Sequence, residues 1–393
     1  MKRAIRIDAA LMAAALIVIS GSIARADDWL YARPDYAWSF PRDHWAHPAY
    51  RSEWWYLTGH LEATGPAPRN LGYQFTFFRI GLLAEQPPSA SAWEAKDLVM
   101  GHAAITDLDT GEHIYSELLY RAAPLLGAFT PPPDMNASGA PAPPAESLIA
   151  WCRAPAGTDT TWTLRWNGEA FNVSIDDEAK GIAFTLATRP QKPVALEGPN
   201  GFSRKGAAAS AASQYYSFTR LQTGGTVSIG GVTLPVRGTS WMDHEFGSGT
   251  LDPQQTGWDW FSLQLDDGRE IMLYLLRGGD TVVDYARGTL VEKDGATRDL
   301  SAGDFAVRAT GRWKSPVTQA VYPSGWTVTI AAADPPISIE VISEVKDQEN
   351  RGRLARALFY WEGAVRAQSE GGAPAGLGYV ELTGYGTNNR PAL

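Results

Sequence analysis

Apolar and polar positions alternate along most of this chain. LGYQFTFFRIGL, TWTLRWNG, AFNVSI, GIAFTLAT, WDWFSLQL, REIMLYLLRGG, WTVTIAA and ISIEVISEV each repeat with a period of two and are separated by Gly, Asp, Asn or Pro. That is the pattern of short strands packed on one face. DDGRE, between WFSLQL and IMLYLLR, reads as a hairpin turn. No long stretch beyond the first 26 residues carries helical periodicity, so the expected fold class is all-β, built of antiparallel strands.

Two segments echo each other. SEWWYLTGHLEATG followed by LGYQFTFFR resembles GWDWFSLQLDDG followed by REIMLYLLR: an aromatic-led strand, a turn, then a strand ending in Arg79 or Arg277. The echo predicts two related β units, beginning near Glu53 and near Trp241, with a junction at 215–235. The expected domains are therefore 27–225 and 226–393. TPPPDMNASGAPAPPAE at 130–146 has a linker's composition but falls inside the first unit, so it reads as a long exposed loop. The Gly, Ala and Ser-rich stretch 201–213 reads as a second, mobile one.

The first 26 residues form a separate unit. Lys2, Arg3 and Arg6 precede an apolar run from Ala9 to Ile19 and an Ala24-Arg25-Ala26 cleavage pattern, the layout of a secretory signal peptide. The expected mature chain starts near Asp27 and is periplasmic or secreted. No later stretch approaches the ~20 apolar residues of a membrane-spanning helix, so no transmembrane segment is expected in the mature chain. With 393 residues, of which 44 % are hydrophobic, the chain can build sizeable cores. Its net charge of −9 argues against nucleic acid as a partner. The single cysteine, Cys152, lies in WCRAP, which lacks a catalytic signature, so a buried packing thiol is expected.

Candidate chemistry centres on GTSWMDHEFG at 238–247. In an extended strand Trp241, Asp243 and Glu245 share one face, while Met242, His244 and Phe246 share the other. The three ionisable groups cannot converge on one metal unless another segment supplies ligands, such as His102 or His60. No H-E-x-x-H spacing occurs, and neither a metal nor a cofactor is expected. A carboxylic acid buried against indole has its pKa raised and becomes a proton donor near neutrality, and aromatic faces stabilise a cation. The bland alternative pairs Asp243 and Glu245 with Arg237 or other arginines to hold a barrel closed. Both readings stay open from the residues alone.

Aromatic residues are dense, with 15 Trp, 15 Tyr and 13 Phe, and several stand beside a single acid. The candidates for lining an apolar pocket are Glu53, Trp54, Trp55, Tyr56, His102, Trp241, Trp258, Asp259, Trp260, Tyr322, Trp326 and Trp361. Glu362 after Trp361 and Glu381 after Tyr379 repeat the same juxtaposition. GFSRKG is not the G-x-S-x-G elbow of serine hydrolases, and Gly-rich phosphate loops are missing.

At EWWYLTGHL, GHAAITD, YYSFTRL, SWMDHEFG, GWDWFSLQLDDGREIMLYLLR, YPSGW, YWEGAV and GYVELTGY the chain resembles the carotenoid 1,2-hydratase family, which includes hydroxyneurosporene synthase and AttH-like secreted proteins. The resemblance runs from about residue 40 to 390 and implies a pair of lipocalin-like β-barrels. For the hydratase members it implies cofactor-independent addition of water across a terminal C=C bond of an acyclic carotenoid. Asp243 would then be the acid, with Glu245 or His244 handling water. Exported relatives, called secreted hydrolases and linked to ABC transporter components, keep a second function open: a non-catalytic carrier for an apolar, isoprenoid or lipid-like molecule.

Overall fold

The computed structural model describes residues 29–391 apart from 66–67, 86–90, 92, 133–146, 209, 250, 280–281, 355–358, 370 and 387–388. The expected signal segment and most of the expected loop at 130–146 lie outside the described residues.

The period-two runs fold as strands of two large antiparallel sheets. The first sheet begins with β1 (Ser52–Ala63), β2 (Arg69–Gly81), β3 (Asp97–Asp107), β4 (His113–Arg121), β5 (Gly127–Phe129), β6 (Ser147–Arg153) and β7 (Thr161–Trp166). It continues with β8 (Phe171–Asp177), β9 (Ile182–Pro190), β10 (Ala195–Leu196), β11 (Phe202–Arg204), β12 (Ala212–Ile229) and β13 (Val232–Gly247). Its spatial order is β4-β3-β2-β1-β13-β12-β9-β8-β7-β6-β5, with β10 and β11 also paired to β12. The second sheet holds β14 (Gln255–Leu265), β15 (Glu270–Gly278), β16 (Val283–Val291), β17 (Thr297–Ser301), β18 (Phe305–Lys314) and β19 (Val321–Ile330). It is completed by β20 (Ile337–Ser343), β21 (Glu349–Arg351), β22 (Phe359–Ser369) and β23 (Pro374–Leu382). Here the order is β17-β16-β15-β14-β23-β22-β20-β19-β18, with β21 on β22.

The all-β expectation holds, but two closed barrels do not form. The first sheet curls nearly closed and the second is a half-barrel. Among the described residues no ladder joins β4 to β5 or β17 to β18. The chain changes sheet between Gly247 and Gln255, whereas the boundary expected at 225/226 falls inside β12. Gly230 and Gly231 explain the difference: both have positive φ, 57° and 81°, and Ile229 pairs with Val232. This two-residue turn makes β12 and β13 one hairpin, as Gly-Gly favours, and the hairpin is clamped by β9 on one side and β1 on the other. The stretch 201–213, expected as a mobile loop, carries β11 and the start of β12.

The sequence echo is real in structure, and it aligns β1–β2 with β14–β15. In each hairpin an acid of the first strand meets the arginine that ends the second. Arg79 Nε lies 3.0 Å from Glu53, and Arg277 Nε lies 2.7 Å from Asp259. The DDGRE turn lies where expected, with Gly268 at φ 91° closing β14 onto β15.

Each sheet wraps its own core. Trp55, Leu57, Phe75, Phe77, Trp162 and Met242 belong to the first; Phe261, Leu273, Tyr322, Trp326 and Trp361 belong to the second. A third cluster of Tyr56, Tyr215, Trp241, Trp260, Met272, Tyr274, Leu276, Ala364 and Tyr379 lies between the sheets. Strands that serve both layers are buried on both faces, as in doubly covered sheets: every residue from Trp241 to Ser248 is buried, the ionisable Asp243, His244 and Glu245 included. The sheets approach closely at Gly72, where a Cβ would stand 2.5 Å from the Tyr379 hydroxyl. His60 Nε2 reaches across to the Gly378 carbonyl at 2.9 Å.

Candidate functional site

The strand SWMDHEF has different chemistry on its two faces. Trp241, Asp243 and Glu245 point between the sheets, where a cavity of about 150 Å³ opens. Trp54, Tyr56, Phe78, Tyr215, Trp258 and Trp260 supply much of its wall. Asp243 is held on three sides: Oδ1 accepts from Ser217 Oγ and Trp241 Nε1, both at 2.6 Å, and Oδ2 accepts from the Tyr215 hydroxyl at 2.6 Å. Trp260 Nε1 in turn donates to that hydroxyl at 3.2 Å. Among the described residues no cation pairs with Asp243. Burial therefore dominates and pushes its carboxyl up from 3.8 to about 7, with the three hydrogen bonds opposing and Glu245 adding to the rise. Among the described residues no arginine pairs with Asp243 or Glu245: Arg237, one expected structural partner, pairs instead with the half-exposed Glu62 at 3.0 Å.

Three more carboxylates line the same cavity. Glu245 is neutralised by Lys205 at 3.0 Å and accepts a short hydrogen bond from Ser213. Lys205 also lies over the rings of Tyr274 and Tyr215, 4.3 and 4.9 Å from their centroids. Glu381 accepts from Trp258 Nε1 at 3.2 Å, and burial raises it from 4.5 to about 7. Glu362, 2 % exposed, makes no hydrogen bond of good geometry through either oxygen among the described residues. Burial first, and Glu381 second, push it well above the usual carboxylate range, although Tyr56 and Gln74 lie near enough to oppose the rise.

The other face of the strand looks into the first sheet. His244 Nε2 donates to Glu53 Oε1 at 2.8 Å, and His47 Nδ1 donates to the same oxygen at 2.7 Å. Arg79 Nε holds the second oxygen at 3.0 Å. The Tyr216 hydroxyl lies 3.1 Å from His244 Nδ1 and 2.8 Å from His44 Nδ1. Burial alone would raise Glu53, yet His47, His244 and Arg79 together bring it below its usual range. His47, Glu53 and His244 could present ligand atoms within 4.8 Å of one another. The guanidinium on the same carboxylate already balances its charge, which makes the trio an ion-pair network that ties residues 43–50 to β1 and β13.

The candidates singled out in the sequence thus divide. Asp243, Glu245, Trp54, Tyr56, Trp258 and Trp260 line the cavity, and Trp241 backs it by donating to Asp243. His244, Glu53 and Trp55 lie on the opposite face, so His244 has no access to the cavity from its buried position. His102 stacks on Tyr360 and hydrogen-bonds its hydroxyl at 2.8 Å, one residue behind the wall. Asp259 is taken up by Arg277 and Tyr385. Tyr322, Trp326 and Trp361 are core residues of the second sheet. Glu362 and Glu381, which stand beside aromatics in the sequence, line the cavity too, whereas Lys205, Ser213, Tyr215 and Ser217 were not among the sequence candidates. Cys152 is free and fully buried, as expected.

The comparisons with known proteins agree with this architecture. The model of the AttH-like family matches residues 31–385, and the chain belongs to that family. It is 32 % identical to a crystal structure described as an AttH candidate, NE1406, from Nitrosomonas europaea, covering 91 % of this chain and 99 % of that one at a TM-score of 0.74. Kievitone hydratase from Nectria haematococca shares the fold at 14 % identity, TM-score 0.59, with 88 % and 93 % of the two chains covered. CghA does so at 13 % identity, TM-score 0.52, with 86 % and 89 % covered. A search of curated proteins returned no match. Among the described residues no helix is long and apolar enough to cross a membrane.

Proposed function

We propose that this protein is an exported, cofactor-independent hydratase that adds water across a C=C bond of an apolar isoprenoid in the cavity between its sheets. The observation that carries the reading is Asp243: a buried carboxyl without a cation, pushed up to about 7, facing an aromatic-walled cavity. A group with that pKa is protonated often enough at neutral pH to donate and strong enough as an acid to matter. Protonation of the alkene by Asp243 leaves a carbocation, which the faces of Trp54, Trp258 and Trp260 stabilise. Water then adds to the cation and gives up a proton.

The lining bears on the ligand class. Four carboxylates, Asp243, Glu245, Glu362 and Glu381, face a single lysine, and that lysine is already paired with Glu245. A neutral apolar molecule fits this cavity, while a fatty acid would meet repulsion as Asp243 and Glu381 ionise above about pH 7. The described lining contains no histidine, which disfavours a serine hydrolase. A non-catalytic periplasmic carrier would use the same aromatic wall, with or without ABC transporter components, and has no use for an acid tuned to neutrality. The test is mass spectrometry of apolar compounds that co-purify with the protein, followed by incubation of each with fresh enzyme. A product heavier by one water supports the hydratase; compounds bound and returned unchanged by fully folded protein support the carrier.

A further inference from the structure

The proposed chemistry needs a base for the water as well as an acid for the alkene, and neither earlier candidate fits. His244 faces away from the cavity, and Glu245 is committed to Lys205 and Ser213. Across the cavity, Glu362 of β22 and Glu381 of β23 are directly opposed in an antiparallel ladder. Directly opposite residues have Cβ atoms only about 4.5–5.5 Å apart, and both carboxyls line the cavity.

Resting on the hydratase reading, we propose that Glu362 and Glu381 share one proton and act as a pair, and that this pair accepts the proton of the attacking water. Two carboxylates that close, buried together without a cation, cannot both ionise. Among the described residues neither oxygen of Glu362 has a hydrogen-bond partner of good geometry, and the buried Tyr56 hydroxyl, which with Gln74 lies near enough to act on it, lacks one as well. Polar groups left bare inside a protein are costly, and a reacting water with several polar contacts is the kind of occupant that relieves them. Glu381 is oriented by the Trp258 indole. The titratable groups acting on the pair are Asp243, Glu245, Tyr56, Tyr115, Tyr360 and Tyr379, none of them a cation.

The arrangement separates acid and base on opposite walls, Asp243 on the first sheet and the pair on the second. Asp243 gives its proton to one alkene carbon, and the π pair becomes the new C–H bond. Water oxygen bonds the cationic carbon as one O–H bond breaks, and that proton joins the Glu362–Glu381 pair. The alkene has gained the elements of water, and the pair's proton returns to Asp243 through solvent to complete the cycle. No oxidant, reductant or other co-reactant is required.

Glu381→Gln, Glu381→Asp and Glu362→Gln test this together, each first checked for a wild-type melting profile. Asp243 and the buried Glu197 also absorb as protonated carboxyls near neutrality, so the readout is the infrared difference spectrum at neutral pH: wild type minus Glu362→Gln should show a protonated-carboxyl band, and wild type minus the exposed control Glu62→Gln should show none. With an acyclic carotenoid alkene such as lycopene in detergent as the probe, Glu381→Gln should lower kcat about 100-fold or more. Its KM should stay near wild type, and Glu381→Asp should restore part of the rate. A missing band in the Glu362→Gln difference overturns the shared proton. Normal kcat in Glu381→Gln beside an active wild type overturns the base while leaving the hydratase reading intact. Wild type inactive on the probe while Asp243→Asn is indistinguishable from it removes both.

Discussion

Replacing Asp243 by Asn should make this protein more stable above neutral pH while abolishing hydration. Asp243 is raised from 3.8 to about 7 chiefly by burial. The fold therefore prefers the protonated acid: that contribution is full below the unfolded value and is lost as pH rises through about 7. At pH 8 the ionised group costs the folded state about 4 kcal/mol, roughly three pKa units at ~1.4 kcal/mol each. At pH 5 the same reasoning leaves only about 1–2 kcal/mol. Asn removes this penalty and introduces a misfit, because its amide nitrogen meets the Tyr215 hydroxyl that now donates at 2.6 Å. An unsatisfied buried donor costs about 1–3 kcal/mol. The balance is a gain of about 2 kcal/mol at pH 8 and nearly none at pH 5. For 393 residues at about 2.1 cal/mol/K each, 2 kcal/mol corresponds to a rise in Tm of about 2–3 °C. Calorimetry of both proteins at the two pH values measures it. A destabilisation of about 3–5 kcal/mol, equal at both pH values, is the signature of a broken ion pair and would refute the account of Asp243 as an uncompensated buried acid.

Other parts of the structure make separate predictions. Arg79 is buried between Glu53 and Asp97 and also donates to the carbonyls of His47 and Tyr50; Arg79→Met should cost about 3–5 kcal/mol by urea unfolding, and a loss under about 1 kcal/mol would show that the network is dispensable. Trp326, 1 % exposed in the second core and away from the cavity, should cost about 3–5 kcal/mol as Trp326→Ala while the folded fraction retains normal turnover. A fluorescent fatty acid should bind more weakly than a neutral isoprenoid of equal length at pH 8, and Lys205→Met should widen that gap; equal binding would contradict the acidic cavity.

Strand parity was the most legible feature of the sequence. It placed Trp241, Asp243 and Glu245 on one face and His244 on the other, as the structure does. The same rule splits each aromatic cluster: in EWWY, Trp54 and Tyr56 reach the cavity while Glu53 and Trp55 turn inward, and in YWE the core takes Trp361 while the cavity takes Glu362. Treating such clusters as units therefore placed Tyr322, Trp326 and Trp361 at a pocket they do not touch. What local period cannot carry is which strands pair and in what register. The Glu362–Glu381 pair depends on β22 meeting β23, and the tie between Asp243 and Ser217 on β12 meeting β13. The strand ends beside the Gly230–Gly231 turn are mostly exposed and mixed in polarity at Val232–Arg237, with Val236 buried, so the apolar pattern that marks a core strand strengthens only where β13 dives between the sheets at Ser240.

The central claim is that Asp243 delivers a proton to an alkene that then takes up water. Incubation of the purified protein with lycopene in oxygen-18 water, followed by mass spectrometry of the product, tests it most directly. The account predicts a tertiary alcohol carrying one heavy oxygen with wild type and none above background with folded Asp243→Asn. Equal labelling by the two proteins, or lycopene recovered unchanged from both, would contradict it.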